Sequence, residues 1–221
     1  MQIPFGNISK PIPNFICDLK NLTFLDFNHN FIPGNFPHIY NCSNLEFLDL
    51  SYNYIDGNLP DEINRFSSNL KYLNITANNF NGDIPNGIGG LSQLKVLELM
   101  SLNPFAPQAI PSRFTKLKKL KKFWMTEANL IGNIPENIGN MTSLEFLDLS
   151  KNGLSGSIPD GLFQLKNLSI VYLYTNKLSR EIPQLVSSRS LNVVDLCNNS
   201  LTGRIPEDFG KLTKMTGLSL F

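Results

Sequence analysis

The amino-acid sequence predicts an α/β repeat fold: a right-handed curved solenoid with short parallel strands on its inner face and irregular or 3-10 segments behind. Three observations carry this expectation. One template, LxxLxLxxNxLxGxIP, recurs every 23 to 26 residues, as in "NLEFLDLSYNYIDGNLP" from Asn44, "NLKYLNITANNFNGDIP" from Asn69, "SLEFLDLSKNGLSGSIP" from Ser143, "NLSIVYLYTNKLSREIP" from Asn167 and "SLNVVDLCNNSLTGRIP" from Ser190. Its first half alternates apolar and polar residues, the period of a strand with one buried face. Its second half carries the Gly and Pro of an outer turn.

Each letter of the template has a physical task. Leucines at the first, fourth and sixth positions point inward from a short strand, and stacked repeats bury them as one continuous core. Leu48, Leu73, Leu147 and Leu196 are expected to share one such column. The Asn at the ninth position (Asn30, Asn53, Asn78, Asn152, Asn176, Asn199) turns its amide into the solenoid, where it satisfies backbone groups that the bend leaves unpaired. Gly permits a backbone conformation or close approach that a side chain would block, and Pro fixes φ and gives up a donor. This first half is the leucine-rich repeat.

The chain then divides into a partial repeat over 1–20, eight full repeats over 21–213 and a partial repeat over 214–221, all one solenoid domain of 221 residues. No capping repeat is recognisable at either end, and "MQIPFGNISKPIP" enters midway through a repeat, so the segment reads as a fragment that frays from its ends. The rhythm slips once, at "LNPFAPQAIP" (Leu102 to Pro111). Leu102 takes the slot usually held by Asn, an extra residue falls on each side of Asn103, and Ala128 replaces the Asn of the following repeat.

Composition excludes several function classes. A formal net charge of +1 with 17% charged residues offers no field to gather nucleic acid or an anionic membrane. The basic run "TKLKKLKK" (Thr115 to Lys122) places Leu117 and Leu120 in core slots, so its lysines read as a solvated face. No apolar run reaches the roughly 20 residues of a membrane span, no signal peptide opens the chain, and no kinase signature appears. Catalysis is not expected: the recurring Asp and Ser of "LDLS" keep step with the repeat and read as ordinary solvated strand positions. Cys17, Cys42, His29 and His38 match no zinc spacing, and neither a metal nor a cofactor is expected. Cys17 and Cys42 sit at nearly matching positions of successive repeats, which makes a disulfide conceivable, but free buried thiols are the plainer expectation.

A working inner face should show itself where it departs from its own average. The fifth-position column, expected to be exposed, reads Asp26, Asp49, Asn74, Glu98, Trp124, Asp148, Tyr172, Asp195, Ser219; the seventh reads Asn28, Ser51, Thr76, Met100, Thr126, Ser150, Tyr174, Cys197, Phe221. Met100, Trp124, Tyr172 and Tyr174 interrupt otherwise polar columns and form one patch, with Glu98, Lys122, Thr126, Glu127, Asp148, Ser150 and Lys151 around it. Aromatic anchors ringed by polar groups suit an extended peptide.

The second half of the template, LxGxIP, resembles the plant-type leucine-rich repeat from end to end of the chain. More narrowly, "FICDLKNL", "YNCSNLEFLDLS", "NPFAP" followed by "IP", and "FWMTEANLIGNIPENIGN" resemble the ectodomains of class XI plant receptor kinases of the HAESA-like group. That resemblance implies a glycoprotein on the extracellular side of the plasma membrane. It further implies a secreted peptide bound on the concave face, a leucine-rich-repeat co-receptor as partner, and a transmembrane helix and kinase elsewhere in the parent chain. The alternative is a secreted inhibitor of cell-wall-degrading polysaccharide hydrolases, since polygalacturonase-inhibiting proteins share the repeat. A late-repeat Arg pair typical of the receptor group has no counterpart here, Arg189 standing alone. Seven N-x-S/T sequons, at Asn7, Asn21, Asn41, Asn74, Asn140, Asn167 and Asn198, fit secretion.

Overall fold

A computed structural model describes residues 1–100 and 105–220. The first half of each repeat forms a three-residue inner strand: Phe24–Asp26, Phe47–Asp49, Tyr72–Asn74, Val96–Glu98, Lys122–Trp124, Phe146–Asp148, Ile170–Tyr172, Val193–Asp195 and Gly217–Ser219. These make one nine-stranded parallel sheet in sequence order. The register is that of the template, so each fourth-position residue lies opposite the next: Leu25, Leu48, Leu73, Leu97, Phe123, Leu147, Val171, Val194, Leu218. All but the last are fully buried, whereas Leu218, on the final strand, is 42% exposed. Leu196 is not in this column as expected. It is the sixth residue of its template, two residues further on in the column that also holds Leu50, Leu149 and Leu173, and its fourth-position place is taken by Val194. Each buried Leu contributes roughly 1.5–3 kcal/mol, which no repeat could collect alone.

The ladder asparagines behave as their position demands. Asn53 Oδ1 accepts the Ile32 N–H at 3.0 Å, and its Nδ2 donates to the carbonyls of Phe27 in the preceding repeat and of Leu50 and Ser51 in its own. Asn30, Asn78, Asn152, Asn176 and Asn199 repeat this pattern. Just before the ninth template position, which is Ala128 after Glu127 and Asn elsewhere, the chain turns through a left-handed residue: His29, Tyr52, Ala77, Glu127, Lys151, Thr175 and Asn198 have φ of 51° to 55°. That conformation costs about 1–2 kcal/mol for a residue with a Cβ, and the amide bonds behind it offset the cost.

Pro of the template starts a 3-10 turn on the outer side, its carbonyl accepting the N–H three residues on, as in Ile63 to Pro60 at 3.1 Å and Ile138 to Pro135 at 2.9 Å. Between the Asn turn and this Pro lies structure that the sequence did not show. Short strands Pro33–Asn35, Tyr54–Asn58 and Asn79–Asn81 form a second, three-stranded parallel sheet, and Ile131–Asn133, Gly153–Gly156, Lys177–Glu181 and Ser200–Thr202 form a third of four strands. Gly57 shows why the template needs glycine there: its φ is +73°, and a Cβ would come within 2.8 Å of Asn35 Oδ1 in the repeat below.

The slip separates these two outer sheets. In the outer half of that repeat, among the described residues, strand-type pairing is confined to Gln108, in an isolated bridge to Leu130. Its Oε1 accepts the Ile84 N–H, and Asn129 Nδ2 donates to the Phe105 carbonyl. Ala128 is fully buried, its N–H taken by Asn152 of the next repeat. The expected roles of Leu102 and Asn103, and Phe221 in its column, fall outside the described residues.

Cys17 and Cys42 form a disulfide with Cα atoms 4.6 Å apart, correcting the expectation of free thiols. Their separation of 25 residues is one repeat, so stacking alone brings their Cα atoms within bridging distance. Cys197 is free. The lysines of the basic run are displayed as expected, with Leu117 and Leu120 fully buried beneath them.

Candidate functional site

The inner face is far more closed than the sequence suggests. At a strand spacing of about 4.8 Å, neighbouring side chains cover one another. Asp26, Asp49, Asn74, Glu98 and Asp148 of the fifth-position column are only 5–8% exposed, and Ser51 and Ser150 of the seventh 2% and 0%. The "LDLS" Asp and Ser are therefore not solvated: Asp49 Oδ1 accepts both the N–H and the hydroxyl of Ser51, at 2.9 and 2.5 Å, and Asp148 does the same for Ser150. Each carboxylate caps the end of its own strand.

Within this closed surface the residues around Trp124 do come together. In-register pairing sets Glu98, Trp124, Asp148 and Tyr172 side by side. Lys122 Nζ meets Glu98 Oε1 at 2.6 Å and lies 4.8 Å from the Trp124 ring centroid and 5.4 Å from that of Phe146. The Trp124 Nε1–H donates to Thr126 Oγ1 at 2.8 Å, and Thr126 Oγ1 lies 3.3 Å from Ser150 Oγ. Tyr172 makes edge contacts with Tyr174 at 6.2 Å and Phe146 at 5.9 Å. Trp124, Tyr172, Tyr174, Met100 and Lys122 remain half-exposed. Glu127 stands exposed, paired with Lys151 at 2.8 Å, and that carboxylate holds the ammonium's pKa above its ordinary value.

The polar ring thus splits into two roles. Ser150 is fully buried and cannot touch a ligand; with Thr126 and Asp148 it orients the indole from beneath. Phe146, one strand position before Asp148, belongs to the patch and is absent from the sequence reading. The third-position column contains it, and reading only the fifth and seventh passes it over.

That third column also holds an aromatic ladder. Phe24, Phe47 and Tyr72 stack at 4.1 and 4.2 Å. A second ladder, Phe5, His29 and Tyr52, stacks at 4.5 and 4.2 Å on the left-handed residues. Of the sequon asparagines, Asn7, Asn21, Asn41, Asn140, Asn167 and Asn198 are exposed. Asn74 is 8% exposed, its Nδ2 donating to Asp49 Oδ2 and its Oδ1 accepting the Thr76 N–H.

The structure is thus a leucine-rich-repeat solenoid with a half-exposed aromatic patch on its nine-stranded inner sheet. The family profile for the Leucine Rich Repeat matches residues 44–66, 69–91, 143–165 and 190–212. No curated protein matches the sequence. Among solved structures the chain is similar to plant receptor ectodomains. It is 32% identical to PEPR1 in the PEPR1–AtPEP1 structure, with a TM-score of 0.83 over 97% of this chain and 34% of that one. To the Arabidopsis receptor kinase HAESA, in complex with the peptide hormone IDA and the co-receptor SERK1, it is 30% identical, with a TM-score of 0.79 over 96% of this chain and 39% of that one. It thus spans little more than a third of either receptor chain. A plant ice-binding protein is similar as well, at 25% identity and a TM-score of 0.86, over 96% of this chain and 68% of that one. One fold therefore serves more than one end, and function must be read from the surface.

Proposed function

We propose that the chain is a ligand-binding ectodomain segment of a plant cell-surface leucine-rich-repeat receptor kinase, taking a secreted peptide on its concave face and presenting it to a leucine-rich-repeat co-receptor. The observation that carries this is the patch of Trp124, Phe146, Tyr172 and Tyr174. Tyr172 meets Phe146 and Tyr174 edge to face, and Trp124 lies beside the seated Lys122 ammonium, all with ring surface open. The similar HAESA structure holds a peptide hormone and a co-receptor, and the Cys17–Cys42 disulfide suits an oxidising, extracellular compartment. Among the described residues no helix is long and apolar enough to cross a membrane, so the proposed anchor and kinase belong to other parts of a parent chain.

Losing a buried aromatic anchor costs about 2 kcal/mol or more, roughly thirtyfold in affinity. Trp124→Ala and Tyr172→Ala should weaken capture of the cognate peptide by about that factor in calorimetric titration. Exposed Thr23→Ala, on the rim of the same face, should change nothing. Equal behaviour of the three variants would make the rings strand cover. Secreted from plant cells, the protein should carry glycans among the six exposed sequons and none at Asn74, and peptide mapping that found one on Asn74 would count against this surface.

A further inference from the structure

The first repeats carry an arrangement that the Trp124 patch does not use. Asp26 and Asp49 are direct partners on neighbouring parallel strands, each 5% exposed. Asp26 Oδ1 accepts the N–H and the side-chain amide of Asn28, at 3.1 and 2.9 Å, while its Oδ2 meets no donor among the described residues. Asp49 Oδ2 accepts only neutral donors, Asn74 Nδ2 at 3.2 Å and the Tyr72 hydroxyl at 3.4 Å. Neither carboxylate belongs to any of the five ion pairs among the described residues. The N-terminal ammonium reaches the Phe24 carbonyl instead, at 2.6 Å. Glu98, further along the same column, has Lys122. Like charges directly opposite on adjacent strands repel, and among the described residues no cation is paired with either carboxylate to offset this. Burial, and then the charges of Glu98 and Asp49, push the Tyr72 hydroxyl well above its ordinary pKa.

The two aromatic ladders flank these carboxylates along the chain. Folding does not ask for the second of them. Phe5 is 72% and Tyr52 49% exposed, and both occupy left-handed backbone that bulky residues disfavour. Other repeats place Ala77, Glu127, Lys151, Thr175 and Asn198 there.

We propose that the first repeats hold a second recognition surface, separate from the Trp124 patch, that takes an arginine side chain of an extended peptide between the two ladders. The guanidinium seats against Asp26 and Asp49 and the methylene stem lies along the ring edges. A planar cation with five donors can serve two carboxylates one strand spacing apart, and it gives up its hydration more readily than an ammonium. Because each ladder stacks ring on ring, the flanks that face the carboxylates present ring edges that enclose a stem, and flat faces are left only on the terminal rings.

The test uses the whole 221-residue chain, isotope-labelled for NMR, with two capped tripeptides, acetyl-Gly-Arg-Gly-amide and its neutral citrulline analogue. The arginine probe should shift the Asn28 and Ser51 amides saturably, and the citrulline probe should bind at least tenfold more weakly. Asp26→Asn, which keeps the Oδ1 acceptor, should lose the same factor yet melt no lower than the parent, since it removes a repulsion. Trp124→Ala should bind the arginine probe as the parent does, which separates this site from the patch. Equal binding of both probes, or unaltered binding by Asp26→Asn, would overturn the proposal. So would a clear drop in the melting temperature of Asp26→Asn, marking a purely structural cap. Shifts confined to the Trp124 region, or a divalent cation alone reproducing them and displacing the peptide, would overturn it as well.

Discussion

The two aromatic regions of the inner face use the same repeat spacing to opposite effect. In the first repeats the rings recur in one column on successive strands, and a strand spacing of about 4.8 Å is close to the stacking distance of aromatic rings. Phe24, Phe47 and Tyr72 therefore close on one another at 4.1 and 4.2 Å and cover their own faces. Around Trp124 the rings alternate with Asp148 and change column, so they meet edge to face at 5.9 and 6.2 Å. The electrostatics diverge in parallel: Glu98 is neutralised by Lys122, while Asp26 and Asp49 face each other without a cation. In this solenoid, aromatics repeated in register stack and keep mainly their edges open, whereas those that break the register leave ring surface uncovered.

Removing the disulfide is the strongest way to break this comparison. Closing a loop of 25 residues stabilises by roughly 3 kcal/mol in the chain-entropy account. Cys42→Ser should therefore speed amide exchange sharply in the strands Phe24–Asp26 and Phe47–Asp49 and leave Lys122–Trp124 protected. Equal loss in both regions would show that they open as one unit. In the intact chain, exchange should already run from both ends inward, since Leu218 is 42% exposed and an apolar cavity of about 450 Å³ opens beside Ile3, Ile12 and Phe15 at the other end.

Smaller effects should sharpen the contrast. Each aromatic pair contributes about 0.5–1.5 kcal/mol beyond its buried area. Phe47→Ala, which removes two stacked contacts, should lower stability in urea about twice as much as Tyr174→Ala, which removes one edge contact. Comparable losses would mean that stacking in register has no special weight. The least effect is expected far from both regions, at Asp208. Its bond to Lys211, followed by the Val186 N–H, holds its pKa below the ordinary carboxylate value. A carboxylate whose pKa is lowered by folding stabilises above its unfolded pKa, and that contribution disappears as pH falls through the lowered value. Asp208→Asn should thus lower the melting temperature slightly at neutral pH, flatten the acid limb, and match the parent once the pH falls below the lowered value.

Much of this protein was legible before any coordinates. The period, the leucine columns, the inward asparagines and the membership of the fifth-position column follow from the template alone, because a repeat that stacks must place equal positions side by side. Even the disulfide was within reach, since Cys17 and Cys42 differ by one period. What the tertiary structure alone decided depends on how closely the columns approach. Burial of the "LDLS" carboxylates and serines, the inclusion of Phe146 in the patch, the split of the outer strands at the slip, and the stacking of the first rings are distances between chain segments. A template fixes which residues are neighbours, but curvature and side-chain volume decide whether neighbours touch, stack or leave room.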